Sequence, residues 1–351
     1  MHRILVINPG STSTKIAVYE DLKQVFESDI HHSAEELAKF SNVWEQEPFR
    51  RQLVIDELNK HNIPMQLDAV VGRGSLAKAV PSGTYEVTEE MIRESRNAEH
   101  IHACDIGCAL AHDIAQRVPP CRAFTTDPGS VDEMLPEAHI SGLPDLPRIA
   151  IWHALNQKAI ARHYASEHGT RYEDLNLIIC HLGGGISIAA HDHGRAIDAN
   201  NALDGEGPFA PERTGSLPAA SLVRLCFSGK YTEQEILNRI AGKGGLKAHL
   251  GTNDMKEIER RINGGDEHAR LIVDAMIYHT AKNLVAEAAV LYGKVDAILI
   301  TGGMANSKYV VERLKRRISF LAPVSVYPGQ EEMLAMAHNA IVELDSAKKS
   351  D

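Results

Sequence analysis

Three glycine-centred turns are the residues best suited to chemistry in this chain: Asn8-Pro9-Gly10-Ser11-Thr12-Ser13, His181-Leu182-Gly183-Gly184-Gly185 and Thr301-Gly302-Gly303. Without a Cβ in the way, backbone amides of such turns can approach phosphate oxygens, and a flanking Asn8, Ser11 or Ser13 can complete the cradle. One glycine bend is more often only a bend. Three together point to a nucleotide. Neither a G-x-x-x-x-G-K-[ST] loop nor a G-x-G-x-x-G turn is present, so the P-loop and dinucleotide folds are disfavoured.

Positive charge comes next. Arg73, within Val71-Gly72-Arg73-Gly74, and Arg213, within Pro211-Glu212-Arg213-Thr214-Gly215, sit in turns from which a guanidinium can grip a carboxylate or phosphate with two donors. The competing reading for each is a surface arginine paired with a nearby acid. His153, after Ile149-Ala150-Ile151-Trp152 at a strand-to-helix junction, is placed to donate to an anion, with His102 and His181 next among eighteen histidines, most of them structural. Asp127, at a strand end, and Glu331 or Glu332, after Pro328-Gly329, are acids that could serve a magnesium ion, which needs few carboxylates. Helix-start dipoles alone would also explain the last pair.

The elements that must position these groups alternate in type. Ile4 to Ile7, the first turn, and Ile16 to Tyr19 read as a hairpin; Leu177 to Cys180, the second turn, and Ile186 to Ala190 repeat it. Ala297 to Ile300 leads through the third turn into a helical pattern. Strands alternating with helical segments give an α/β class, and the repeated hairpin marks an internal duplication. The Pro-rich passage 141–147 is the expected linker, dividing residues 1–147, joined by a C-terminal helix at about 331–351, from residues 148–330.

The chain has 351 residues, 44% of them hydrophobic, and a formal charge of −10, enough length for two cores and the wrong sign for nucleic acid or anionic lipid. The basic run at Arg313 and 315–317 interleaves with apolar residues at helical spacing and reads as a solvated helix face. Five scattered cysteines indicate neither disulfides nor zinc, and no long apolar segment occurs, so a cytoplasmic protein that does not enter a membrane is expected.

Five strings together, those at 8–15, 152–158, 181–188, 200–208 and 301–303, resemble the acetokinase family, on its butyrate branch, in the same order from Ile4 to about Leu344. The resemblance implies the duplicated ribonuclease-H-like fold of acetate kinases, sugar kinases, Hsp70 and actin, with ATP between the halves. It implies that ATP and Mg2+ phosphorylate a small carboxylate, butyrate or a similar acid, in a homodimer or larger homo-oligomer. Asn8 then corresponds to a phosphate-positioning asparagine, Arg73 and Arg213 to the arginines holding carboxylate and phosphoryl group, and His153 to the histidine that stabilises the transferring group. Asp127 and Glu331 match acids organising the centre and its magnesium. His102 matches a further histidine, and Gly183, Gly184, Gly185, Asn253, Asp254, Gly302 and Gly303 match phosphate and adenosine loops. The alternatives are an acetate or propionate kinase and a non-catalytic ATP-binding protein of the same fold.

Overall fold

The computed structural model describes residues 1–74, 77–98, 103–329 and 332–348, which fall into two compact units. The first holds residues 1–132 and the helix Glu332–Lys348; the second holds residues 133–329. The division precedes the Pro-rich passage at 141–147.

In the first unit, apolar runs make β1 (Arg3–Pro9), β2 (Ser13–Glu20), β3 (Lys23–His31), β4 (Ala69–Gly72), β5 (Thr84–Glu86) and β6 (Arg122–Thr126). Their order in the sheet is β3-β2-β1-β4-β6-β5. β1 and β2 are antiparallel, with Ile7 opposite Ile16, whereas β4 and β6 run parallel to β1. The second unit repeats this with β7 (Asn176–Leu182), β8 (Ile186–Asp192), β9 (Arg195–Ala199), β10 (Ala297–Gly302) and β11 (Val324–Pro328), in the order β11-β10-β7-β8-β9. Hairpin, third antiparallel strand and two parallel strands recur in the same places, so the expected duplication is realised as topology.

β1, β4, β7 and β10 are buried almost throughout, which is why they read as unbroken apolar runs. In the first unit Leu5, Ile7, Ile16 and Val70 pack with Val54 and Leu58 of the helix Glu47–Lys60 and with Ile106, Leu110 and Ile114 of the helix Ile106–Ala115. Each such side chain contributes about 1.5–3 kcal/mol by leaving water. The second core gathers Ile178, Ile188 and Ile298 with Val273, Ile277 and Leu284 of the helix Glu267–Val290. Asp266 caps that helix by accepting the Ala269 amide at 2.9 Å.

The basic run lies on the helix Lys308–Ile318, whose Val310, Leu314 and Ile318 are buried. Helices at Ala219–Cys226, Gly245–Leu250 and Met255–Asn263 are absent from the sequence reading. The first has no buried residue and the second spans only six residues, whereas the third buries Ile258 and Ile262 at the i, i+4 spacing of a helix face. Cys108 and Cys180 are buried, Cys104 and Cys121 partly so, and Cys226 is exposed, none of them in a disulfide among the described residues. Among the described residues no helix is long and apolar enough to cross a membrane.

Candidate active site

The parallel strands of the first sheet end on candidate residues. Asn8 is the penultimate residue of β1, Arg73 follows β4 and Asp127 follows β6; the carboxyl ends of parallel strands are where open α/β sheets hold ligands. Arg73 is seated by a close crossing: a Cβ on Gly107 would lie 2.1 Å from the Arg73 carbonyl oxygen, so only glycine lets the helix Ile106–Ala115 come this near.

Asn8 donates from Nδ2 to Glu332 Oε2 at 3.1 Å, and Arg73 Nη1 donates to Asn8 Oδ1 at 3.3 Å while pairing with the same Glu332 oxygen at 3.2 Å. Glu332 is 1% exposed, and its Oε1 is enclosed without a hydrogen-bond partner among the described residues. Burial is the largest influence on Arg73 and works against its charge, but Glu332 and Cys104 together hold the guanidinium above its ordinary value. Asp127 sits at φ +38°, a left-handed conformation uncommon outside glycine, and its Oδ1 accepts from Ser82 Oγ at 2.6 Å and the Gly83 amide at 2.9 Å.

Ser11 lies on the turn from β1 to β2, and Ser13 opens β2. The fully buried Arg50 reaches into it, donating to the carbonyls of Gly10 at 2.7 Å, Ser13 at 3.1 Å and Ser11 at 3.4 Å. Peptide planarity sets each following amide opposite its carbonyl, so the Ser11 and Thr12 N–H groups point away from Arg50. Burial lowers the Arg50 guanidinium to about 10, leaving it charged at neutral pH.

In the second unit, Gly183, Gly184, Asn253, Asp254 and Gly303 line one cavity of about 620 Å3 together with Glu212. Asn253 donates to Glu212 Oε1 at 2.6 Å, while Asp254 caps the helix Met255–Asn263 through the Lys256 amide at 2.9 Å. Gly185 and Gly302 are not in the cavity wall. Gly302 closes β10 and bridges to Gly329. Gly185 makes room for Arg213, whose Nη1 would lie 2.2 Å from a Cβ there; the same nitrogen donates to the Ala202 carbonyl at 2.6 Å. His153, at the start of the helix Ala154–Glu167, stacks on His181 with ring centroids 3.8 Å apart and planes 8° off parallel. Its Nδ1 lies 2.8 Å from Ser187 Oγ.

The structure therefore brings Asn8 and Arg73 together in one unit and Arg213 beside the Gly183–Gly185 turn in the other. His102 and Glu331 lie outside the described residues. Of the two adjacent acids after Pro328-Gly329 that the sequence left as alternatives, Glu332 is the one among the described residues. Arg50, Glu212 and Ser187 are contacts the sequence did not single out. Among the described residues no group of three or more His, Cys, Asp or Glu side chains is arranged to hold a metal.

The model of the acetokinase family matches residues 151–349. A probable butyrate kinase of Bacteroides thetaiotaomicron is 57% identical over 339 residues, covering 97% of this chain and 96% of its own. Butyrate kinase 2 of Clostridium acetobutylicum is 47% identical, covering 99% and 98%. The fold is that of Porphyromonas gingivalis acetate kinase, with a TM-score of 0.80 at 20% identity, covering 98% of this chain and 100% of that one. Family model, near full-length relatives and duplicated sheet topology agree: the chain belongs to the acetokinase family.

Proposed function

We propose that the protein transfers the γ-phosphoryl group of ATP to butyrate, or to a similar short or branched acid, giving the acyl phosphate and ADP. The observation that carries this reading is the near full-length likeness to relatives named butyrate kinases. The geometry supports the reaction class. A carboxylic acid with a pKa of about 4 to 5 is ionised at neutral pH, so its oxygen needs no base to become a nucleophile. The difficulty is repulsion between two anions, and Arg73 and Arg213 answer it. In this reading the carboxylate oxygen bonds to the γ-phosphorus as the bond to the β-phosphate oxygen breaks, and the electron pair leaves on ADP.

Arg73 and Arg213 hold the acceptor and the transferring group, His153 donates to the phosphoryl oxygens, and Asn8 with the amides beside Ser11 and Ser13 orients phosphate. The cavity lined by Gly183, Gly184, Asn253, Asp254 and Gly303 takes the nucleotide, and its volume is ordinary for such a ligand. Gly185 and Gly302 shape its turns, and His102 is assigned a supporting part. Mg2+ fits the first unit at Glu332, whose enclosed Oε1 has no hydrogen-bond partner among the described residues and could ligate the ion, and the resemblance assigns Asp127 and Glu331 to the same role. When bound, the ion would neutralise charge on the phosphates. A cytoplasmic homodimer or larger homo-oligomer belongs to the same reading.

Hydroxylamine trapping of acyl phosphate from ATP, Mg2+ and acids from acetate to valerate, including isobutyrate, tests it. A maximum at butyrate or isobutyrate is the expected result. A maximum at acetate or propionate would move the substrate, and no acyl phosphate from any acid would overturn the reading.

A further inference from the structure

Behind His153 runs a buried chain of hydrogen bonds with a direction. It begins with a group that has no choice of role, the Ser187 carbonyl, which can only accept. One amide atom of Gln157 lies 3.2 Å from that oxygen and 2.9 Å from Ser187 Oγ, so it is the NH2 group. Gln157 Oε1 then faces His191 Nε2 at 3.0 Å, and His191 must donate. His191 is fully buried, and burial together with the Lys158 charge holds it well below its ordinary value, so the ring is neutral. Its Nδ1 is therefore an acceptor, filled by Tyr172 OH at 2.6 Å.

The other end follows. Ser187 Oγ accepts from Gln157 and, at 3.3 Å, from the backbone amide of His153, which uses both lone pairs. Its single proton has His153 Nδ1, 2.8 Å away, as acceptor. We infer that Ser187 and Gln157 are positioning residues for phosphoryl transfer, holding His153 as the neutral tautomer that carries its proton on Nε2.

Resting on the kinase reading above, this explains why the chain ends on a hydroxyl instead of a carboxylate. A carboxylate at Nδ1 would accept a hydrogen bond from the ring Nδ1–H and favour the imidazolium. A donor there leaves Nδ1 without a proton and makes Nε2–H a hydrogen-bond donor, the polarity an anionic phosphoryl group requires. The parallel stack on His181, itself tied to Asn156 Oδ1 at 2.7 Å, sets the ring plane.

The test is 15N NMR of the full chain labelled at histidine, with the His153 signals assigned by their loss in His153→Asn. Protonated Nε2 and unprotonated Nδ1 are expected in the unaltered protein. Ser187→Ala should weaken that preference and lower kcat by about tenfold to a hundredfold with little change in KM for ATP. Ser187→Thr, which keeps the hydroxyl, should restore both. Gln157→Glu puts an acceptor where Ser187 now receives a donor, and should cost about a hundredfold or more. A proton on Nδ1 in the unaltered protein overturns the inference, as do an unchanged tautomer and kcat in Ser187→Ala. If Ser187→Ala fails to fold, the spectrum of the unaltered protein still decides. If no acid yields acyl phosphate, the kinase reading falls while the spectrum judges the tautomer separately.

Discussion

The two hairpins share topology but hold their turns by opposite means. In the first, the β1–β2 turn is braced from inside by a buried cation: Arg50 satisfies three carbonyls, and the Ser11 and Thr12 amides face the other way. In the second, the β7–β8 turn has glycines because neighbouring side chains occupy the space, with Arg213 lying where a Gly185 side chain would be. Similar backbones thus come from a donor added in one unit and a Cβ withheld in the other. Buried charge differs too. Arg50 is surrounded by acceptors, whereas Glu287 has an enclosed Oε2 without a hydrogen-bond partner among the described residues and is pushed up to about 8, first by burial and then by Asp198.

The comparison breaks most sharply at the arginines. Arg213→Ala and Arg73→Ala should each lower turnover by roughly a hundredfold to a thousandfold in the acyl phosphate assay, as for loss of a transition-state donor. Arg50→Leu should leave its carbonyls unsatisfied and cost about 2 kcal/mol in urea unfolding, with a raised KM for ATP; unchanged stability would show that the turn stands unaided. Gly185→Ala should displace Arg213 and reduce kcat by about tenfold while far-UV circular dichroism is unchanged.

The smallest effects are pH-dependent and opposite in the two units. Glu287 has a raised value, so its stabilising effect is complete below the ordinary carboxylate range and is lost as pH rises through about 8. Glu287→Gln should therefore raise Tm at pH 8.5 by roughly 2–4 °C and change it little at pH 5. His32, hydrogen-bonded to Thr14 Oγ1 at 2.9 Å, is lowered to about 4 by burial and then by Arg50. Its contribution is present above about 6.5 and lost as pH falls toward 4, so His32→Asn should flatten the acid side of the stability curve. Parallel curves for variant and parent would remove either assignment.

Much of this architecture was legible in advance. The hairpins at Ile4 to Tyr19 and Leu177 to Ala190 announce themselves because buried parallel-sheet strands are continuous apolar runs stopped by turn residues. The short strands β5 and β11 and the helix Ala219–Cys226 do not, since half-buried or exposed segments leave no clean pattern. Of the acids, Asp127 was visible at its strand end, whereas Glu331 and Glu332 stood as alternatives, since adjacent acids at a helix start carry the same local signal.

By itself the sequence determined the α/β class, the duplication, and the Gly, Arg and His residues that gather at the turns, because apolar periodicity and glycine act locally. Tertiary structure alone decided how those residues are held. Asn8 meets Glu332 across 324 positions, and His153 meets Ser187 across 34. Buried polar groups must find partners wherever the fold brings them, and no local pattern encodes which they find.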